Sequence, residues 1–167
     1  MSARIGDYRG PIRRALGPAA LLLAVAGAWG QGQVPASGYV HEDVVISARQ
    51  MYTFTVKGQT VNILLGDFSL TLGRRVLSGR DAVLWIKQRQ LGPRVLRDVE
   101  VYIEGAASIL EPDGTLAKGR RIFDVIRHIG AVRARVDVQG GKDLASFPLY
   151  RRAVTMRTDL AALPTVP

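Results

Sequence analysis

The 167-residue chain contains no cysteine and only two histidines, His41 and His128. The missing cysteines exclude disulfide frameworks, cysteine zinc sites, thiol nucleophiles and acylation of an N-terminal cysteine. Two histidines are too few for a multi-histidine metal site, and no cofactor motif is found. No G-x-S-x-G elbow, H-E-x-x-H helix, P-loop or G-x-G-x-x-G turn occurs. After residue 30 no apolar run is long enough to span a bilayer. The chain does not lack apolar residues overall. At 47% hydrophobic it has far more than a disordered chain carries.

The one long uncharged stretch lies near the start. Arg4, Arg9, Arg13 and Arg14 face a single acid, Asp7, and residues 15–30 then carry no charge. Ala26-Gly27-Ala28 follows at signal-peptidase spacing, with Ala24-Val25-Ala26 as the competing site. A basic segment, a short apolar segment and a small-residue ending make residues 1–28 a secretory signal peptide. An uncleaved anchor needs about 20 apolar residues, and this run is shorter and broken by Pro18. The expected location is the periplasm. Cleavage would remove four Arg and one Asp and take the net charge from +9 to +6. A basic secreted chain suits phosphate- or carboxylate-bearing partners. Nucleic acid is not among the expected partners, because the aromatic pattern of RNA-binding sheets is missing.

Residues 29–43 form a polar linker with Gly and Pro. Beyond it, turn signals recur: Lys57-Gly58, Gly66-Asp67, Gly73-Arg74, Ser78-Gly79, Gly92-Pro93, Glu104-Gly105, Pro112-Asp113-Gly114, Lys118-Gly119 and Gly140-Gly141. Between them lie VVISA (44–48), YTFTV (52–56), VNILL (61–65), FSLTL (68–72), AVLWI (82–86), VEVYI (99–103) and VRARVDV (132–138). Short β-branched and aromatic runs at this spacing predict an all-β protein, a jellyroll or open roll of antiparallel strands. Alternation such as Val132, Ala134, Val136 and Val138 against Arg133, Arg135 and Asp137 predicts one oily and one wet face per strand. Residues 119–130 are ambiguous. Ile122, Val125, Ile126 and Ile129 sit at helical spacing, but the composition and the flanking glycines favour a strand. ASFPLYRRAVTMRTDL (145–160) reads as sheet-like, and the last ten residues, 158–167, as a tail cut short of further strands.

Chemistry-bearing residues are sparse. His41 sits in the linker beside Glu42 and Asp43 and reads as a solvated loop residue. His128, beside Arg127, reads as a surface histidine. Glu100 and Glu104 share one side of a strand; a solvated face accounts for them without an acid/base role. Trp85 reads as core. Arg74-Arg75, Arg120-Arg121 and Arg151-Arg152 lie at or near turns, where they either solubilise loops or contact phosphate. No catalytic set emerges, so the chain does not read as an enzyme.

VNILLGDFSLTLGRRVLSGRDAVLWIKQ (61–88) and DVEVYIEGAASI (98–109) together resemble the OstA-like family. These are the periplasmic lipopolysaccharide-transport proteins LptA and the N-terminal domain of LptD, and planctomycete-type variants carry similar wording. VLSGRDAVLWI resembles the family's leu-x-Ala-asp-x-Ala strand, and VYIEGAASI its Glu-Gly strand pair. FPLYRRAVTMR (147–157) looks like the start of another unit. Where the family has Ala-Asp, this chain has Ser78-Gly79-Arg80-Asp81. The resemblance covers most of 44–157. It implies an open β-jellyroll whose apolar groove holds acyl chains, a carrier of lipopolysaccharide or a similar glycolipid in outer-membrane assembly. It also implies edge-strand pairing with another copy or with other envelope-transport proteins. Leu70, Leu72, Val83, Trp85, Val101 and Ile103 are the groove candidates, and Arg74 and Arg75 the head-group candidates. Two rival readings are a structural β-repeat scaffold with a filled core and a secreted carbohydrate-active or hydrolytic domain.

Overall fold

A computed structural model of the chain describes residues 40–142 and 144–162. The expected signal peptide and most of the expected linker lie outside them. Six strands form one sheet: β1 (Val44–Val56), β2 (Gln59–Leu72), β3 (Arg75–Leu91), β4 (Arg94–Leu110), β5 (Leu116–His128) and β6 (Val132–Gly141). One helix follows, α1 (Pro148–Ala162). The spatial order is β5-β4-β3-β2-β1-β6. The protein is an all-β open roll, as its alternating runs predict, and residues 119–130 are strand up to His128.

The strands are longer than the turn signals suggest. Lys57-Gly58 makes a true two-residue hairpin, both residues at positive φ, as a tight primed turn requires. Gly66-Asp67 and Gly105-Ala106 also lie at positive φ, yet the ladder runs on past them. They are β-bulges. A glycine inside a strand pattern signals either a turn or a bulge, and local sequence does not separate the two. Runs 44–48 and 52–56 are therefore one strand, as are 61–65 and 68–72.

The register shifts of β1 to β4 line up across the sheet, at Ser47/Gln50, Leu65/Phe68, Ser78/Asp81 and Glu104/Ala107. They also repeat in sequence. Ser47-Ala48-Arg49-Gln50 in β1 matches Ser78-Gly79-Arg80-Asp81 in β3. Gly66-Asp67-Phe68-Ser69 in β2 matches Gly105-Ala106-Ala107-Ser108 in β4. A Cβ on Gly66 would lie 3.0 Å from the Arg49 side chain, and one on Gly105 would lie 2.9 Å from Arg80 Cβ. The hairpins β1–β2 and β3–β4 are thus two copies of one unit, each bent where an arginine stem crosses a glycine.

Aligned bulges increase twist and curl the sheet. Arg75 lies nine positions along β3 from Leu84, which pairs through Val101 with Asp124. On a flat sheet that offset is about 30 Å, yet Arg75 Nη1 meets Asp124 Oδ2 at 2.9 Å. The sheet rolls over on itself and closes at one corner. Residues 129–131 link β5 to β6 almost in line, and β6 pairs with β1 in parallel, so the sheet is mixed rather than purely antiparallel. Hydrogen bonds Val40 N to Arg127 O (3.1 Å), Ile129 N to Val40 O (2.8 Å) and Val44 N to Ala131 O (2.9 Å) stitch that corner.

Two apolar clusters result. The inner one gathers Ile46, Leu64, Leu70, Leu84, Val101 and Ile126, among others. The outer one gathers Val61, Ile63, Val83, Trp85 and Tyr102 beneath Leu149, Tyr150 and Ala153 of α1. At the centre of β2 and β3 both faces are therefore buried, and VNILL and AVLWI are continuous runs for that reason. The expectation of one wet face fails there. The sheet-like reading of 145–160 also fails, because Pro148 opens a helix that continues to Ala162. Proline at the first helical position has no N–H to lose. Leu149, Tyr150 and Ala153 then fall on one face at helical spacing.

Candidate functional site

Of the six groove candidates, the fold brings four together. Leu70, Leu72, Val101 and Ile103 belong to the inner cluster. Val83 and Trp85 point the other way, under α1. The reason is register. Leu84 stands opposite Val101, so Val83 and Trp85 share the parity of Tyr102 and Glu100. Leu70, Val101 and Ile103 each have 0% exposure. The inner face packs against itself, and an occupant would have to displace side chains already in contact.

Leu72, a groove candidate, borders an opening. Together with Val40, Glu42, Arg74, Arg75, Glu111 and Pro112 it lines a cleft of ≈ 400 Å³ at the end of the roll. Arg74 is exposed there and makes no ion pair among the described residues. Arg75 is engaged. Its guanidinium holds Glu111 Oε1 at 2.7 Å and Asp124 Oδ2 at 2.9 Å, joining β3, the β4–β5 turn and β5. Removing one partner would strand a half-buried charge, so Arg75 ties the roll together before it serves any ligand.

The outer face carries the strongest electrostatics. Tyr102 donates to Glu104 Oε2 at 2.6 Å, and Arg152 Nε of α1 donates to the same oxygen at 2.9 Å. Burial first, then the bond to Glu104, pushes the Tyr102 phenol up to about 12. Burial would raise the Glu104 carboxyl, but Arg152 and Tyr102 outweigh it and hold it below its ordinary value. Arg157 pairs with Glu100 and lies 4.8 Å over the Trp85 ring. Glu100 and Glu104 do share one side, as their spacing predicts. They are not solvated, however: their side chains are 17% and 15% exposed, covered by Arg157 and Arg152 from a segment that reads as sheet-like in sequence. Arg152 and Tyr102 hold the Glu104 carboxyl low, the reverse of what a proton donor needs, and Glu100 is covered by Arg157.

His41 is exposed. His128, expected at the surface, is fully buried. It occupies the closed corner, and its Nδ1 lies 3.3 Å from the Glu42 carbonyl. Its neighbour Arg127 pairs outward with Asp98, at 3.8 Å. The sequence cue was present in parity, since His128 follows Ile122 and Ile126 on the inner side of β5. Among the described residues no group of three or more His, Asp or Glu side chains is placed to hold a metal ion. No protein-family model, curated protein or solved structure matches this chain.

Proposed function

We propose that the protein is an exported, OstA-like β-roll that binds lipopolysaccharide or a similar glycolipid in the periplasm. In this reading acyl chains lie against the inner face of the roll and the phosphorylated head group stays outside, near Arg74. One observation carries the reading. The apolar inner face runs without a break from β1 to β5, while among the described residues β5 pairs with β4 and β6 with β1, at opposite ends of the sheet, and not with one another. An interior can be reached between two such edges without breaking the main ladders. Sheathing an acyl chain is worth about 0.8 kcal/mol per CH2, enough over a full chain to offset parting the edges. The same free edges suit pairing with a second copy or with another envelope-transport protein.

The zero exposure of Leu70, Val101 and Ile103 favours the second reading, a filled structural module of the cell envelope with no ligand. Uptake of lipopolysaccharide and of a fluorescent acyl probe separates the two. The glycolipid reading expects saturable uptake, lost in folded Leu72→Asp and weakened in Arg74→Ala, more so at low salt, where the contact it removes is least screened. Wild-type protein that takes up neither ligand, together with lipid-free protein from the envelope by native mass spectrometry, establishes the scaffold instead. Intact mass of envelope-purified protein tests export, with the mature chain expected to begin near Gly27 or Trp29.

A further inference from the structure

The corner that closes the roll contains a group unlike any other in the inner cluster. His128 is wholly buried there, and its Nε2 has no hydrogen-bond partner. The Glu42 carbonyl can only accept, so Nδ1 carries the proton and donates to it. The neutral ring therefore keeps a bare Nε2 lone pair in an apolar setting, which burial tolerates. Protonated Nε2 would be an N–H with no acceptor and a charge with no water. The surrounding charges are set by three segments. Across the ladder on β4 stands Arg97, which itself donates to the Gly130 carbonyl. The segment before β1 supplies Glu42 and Asp43. Asp43 accepts from Ala131 N at 2.8 Å and is paired to Arg133 of β6 at 2.9 Å. On β5 itself Arg127 faces outward to Asp98. Asp43, the acid whose charge acts on the ring, is thus already engaged, and the Arg97 cation across the ladder repels a second positive charge.

We propose that this corner is a proton-operated latch, in which protonation of His128 parts residues 40–44 from 127–132 and opens the roll at its closed end. Burial, with the Arg97 charge adding to it, holds the His128 imidazole below its ordinary value; the Glu42 carbonyl and Asp43 oppose this only in part. The sign follows from linkage. The opened corner binds a proton as pH falls through the ordinary histidine range, the closed corner does not, and so closure weakens as pH falls below about 6.5. Asp43 is lowered by its bond to Ala131, and its contribution disappears only at more acid pH, below the carboxylate range. The two acid effects are therefore separable. That an occupant enters or leaves by this corner rests on the glycolipid reading; the latch itself does not.

Amide hydrogen exchange on the mature chain, without lipid, tests it. Protection at Val44, Ile129 and Ala131 should fall about tenfold between about pH 7.5 and about pH 5.5, while Leu64 and Val83 change little. In His128→Leu the corner amides should lose that pH dependence. If His128→Leu does not fold by circular dichroism, the wild-type NMR titration decides, since the His128 ring and the three amides must share one midpoint. A pH-independent corner, a response retained in folded His128→Leu, separate midpoints, or a uniform loss of protection across the sheet would each overturn the latch. Acyl-probe uptake unchanged by an opened corner would count against the glycolipid reading alone.

Discussion

The two faces of the sheet are covered in different ways. The inner face is covered by the sheet itself, because aligned bulges curl β1 to β5 until their own side chains meet. The outer face is covered by a separate piece, α1, seated through Leu149, Tyr150 and Ala153 and held by Arg152 and Arg157. The first cover cannot be removed without unrolling the fold. The second is a local attachment joined through residues 142–147. The inner face should therefore answer to damage globally and the outer face locally.

An inner substitution gives the largest effect. Leu84→Asp buries a charge in the inner apolar cluster beside Val101 and should cost about 4 kcal/mol or more, measured as loss of the folded baseline in urea. Tyr150→Ala should cost about 3 kcal/mol and free α1, with helical circular dichroism falling while β-sheet signal persists. Simultaneous loss of both signals would abolish the distinction between the faces. Gly105→Ala forces a Cβ toward Arg80 at φ 79 and should cost about 1–3 kcal/mol, read from the shift in thermal midpoint. Gly58→Ala meets no neighbour and should cost less. The smallest effect is electrostatic. Arg152→Ala should cost about 1 kcal/mol or less, reduced further by salt, and should raise the Tyr102 phenol's resistance to ionisation in a spectrophotometric titration, because the arginine cation favours the phenolate. Because the Glu104 carboxyl is held low, the stability it lends through α1 is full above the ordinary carboxylate range and is lost as pH falls through its folded value.

Much of the fold was legible because period-two alternation marks strands wherever only one face is buried. Val99, Val101 and Ile103 read correctly, and so did the strand at 119–130. The reading failed where a residue's role depends on distant chain. Val83 and Trp85 were placed with Val101 because both runs are apolar, but only register tells which side each faces. Gly66 and Gly105 look like turns until the ladder is seen to continue. α1 carries Tyr150, Val154, Thr155 and Thr158, residues that favour strands, and it forms because an oily outer face is there to receive it. His128 was misplaced because its burial comes from residues 40–43, more than eighty positions away. The bulge repeat was visible in principle as Ser-Ala-Arg and Ser-Gly-Arg, but its spacing differs from that of the turns around it.

The parallel pairing of β6 with β1 also bears on how the protein folds. Every other pairing in the sheet joins neighbours in sequence, so hairpins can form early and locally. Val44 meets Val132 only after the whole intervening chain has been ordered. Closing so large a loop costs entropy that no contact returns until the end. Docking of β6 is therefore the expected last and slowest step of refolding. Until it occurs, β1 presents a bare edge, and a chain stalled there is the species most prone to pair with another molecule.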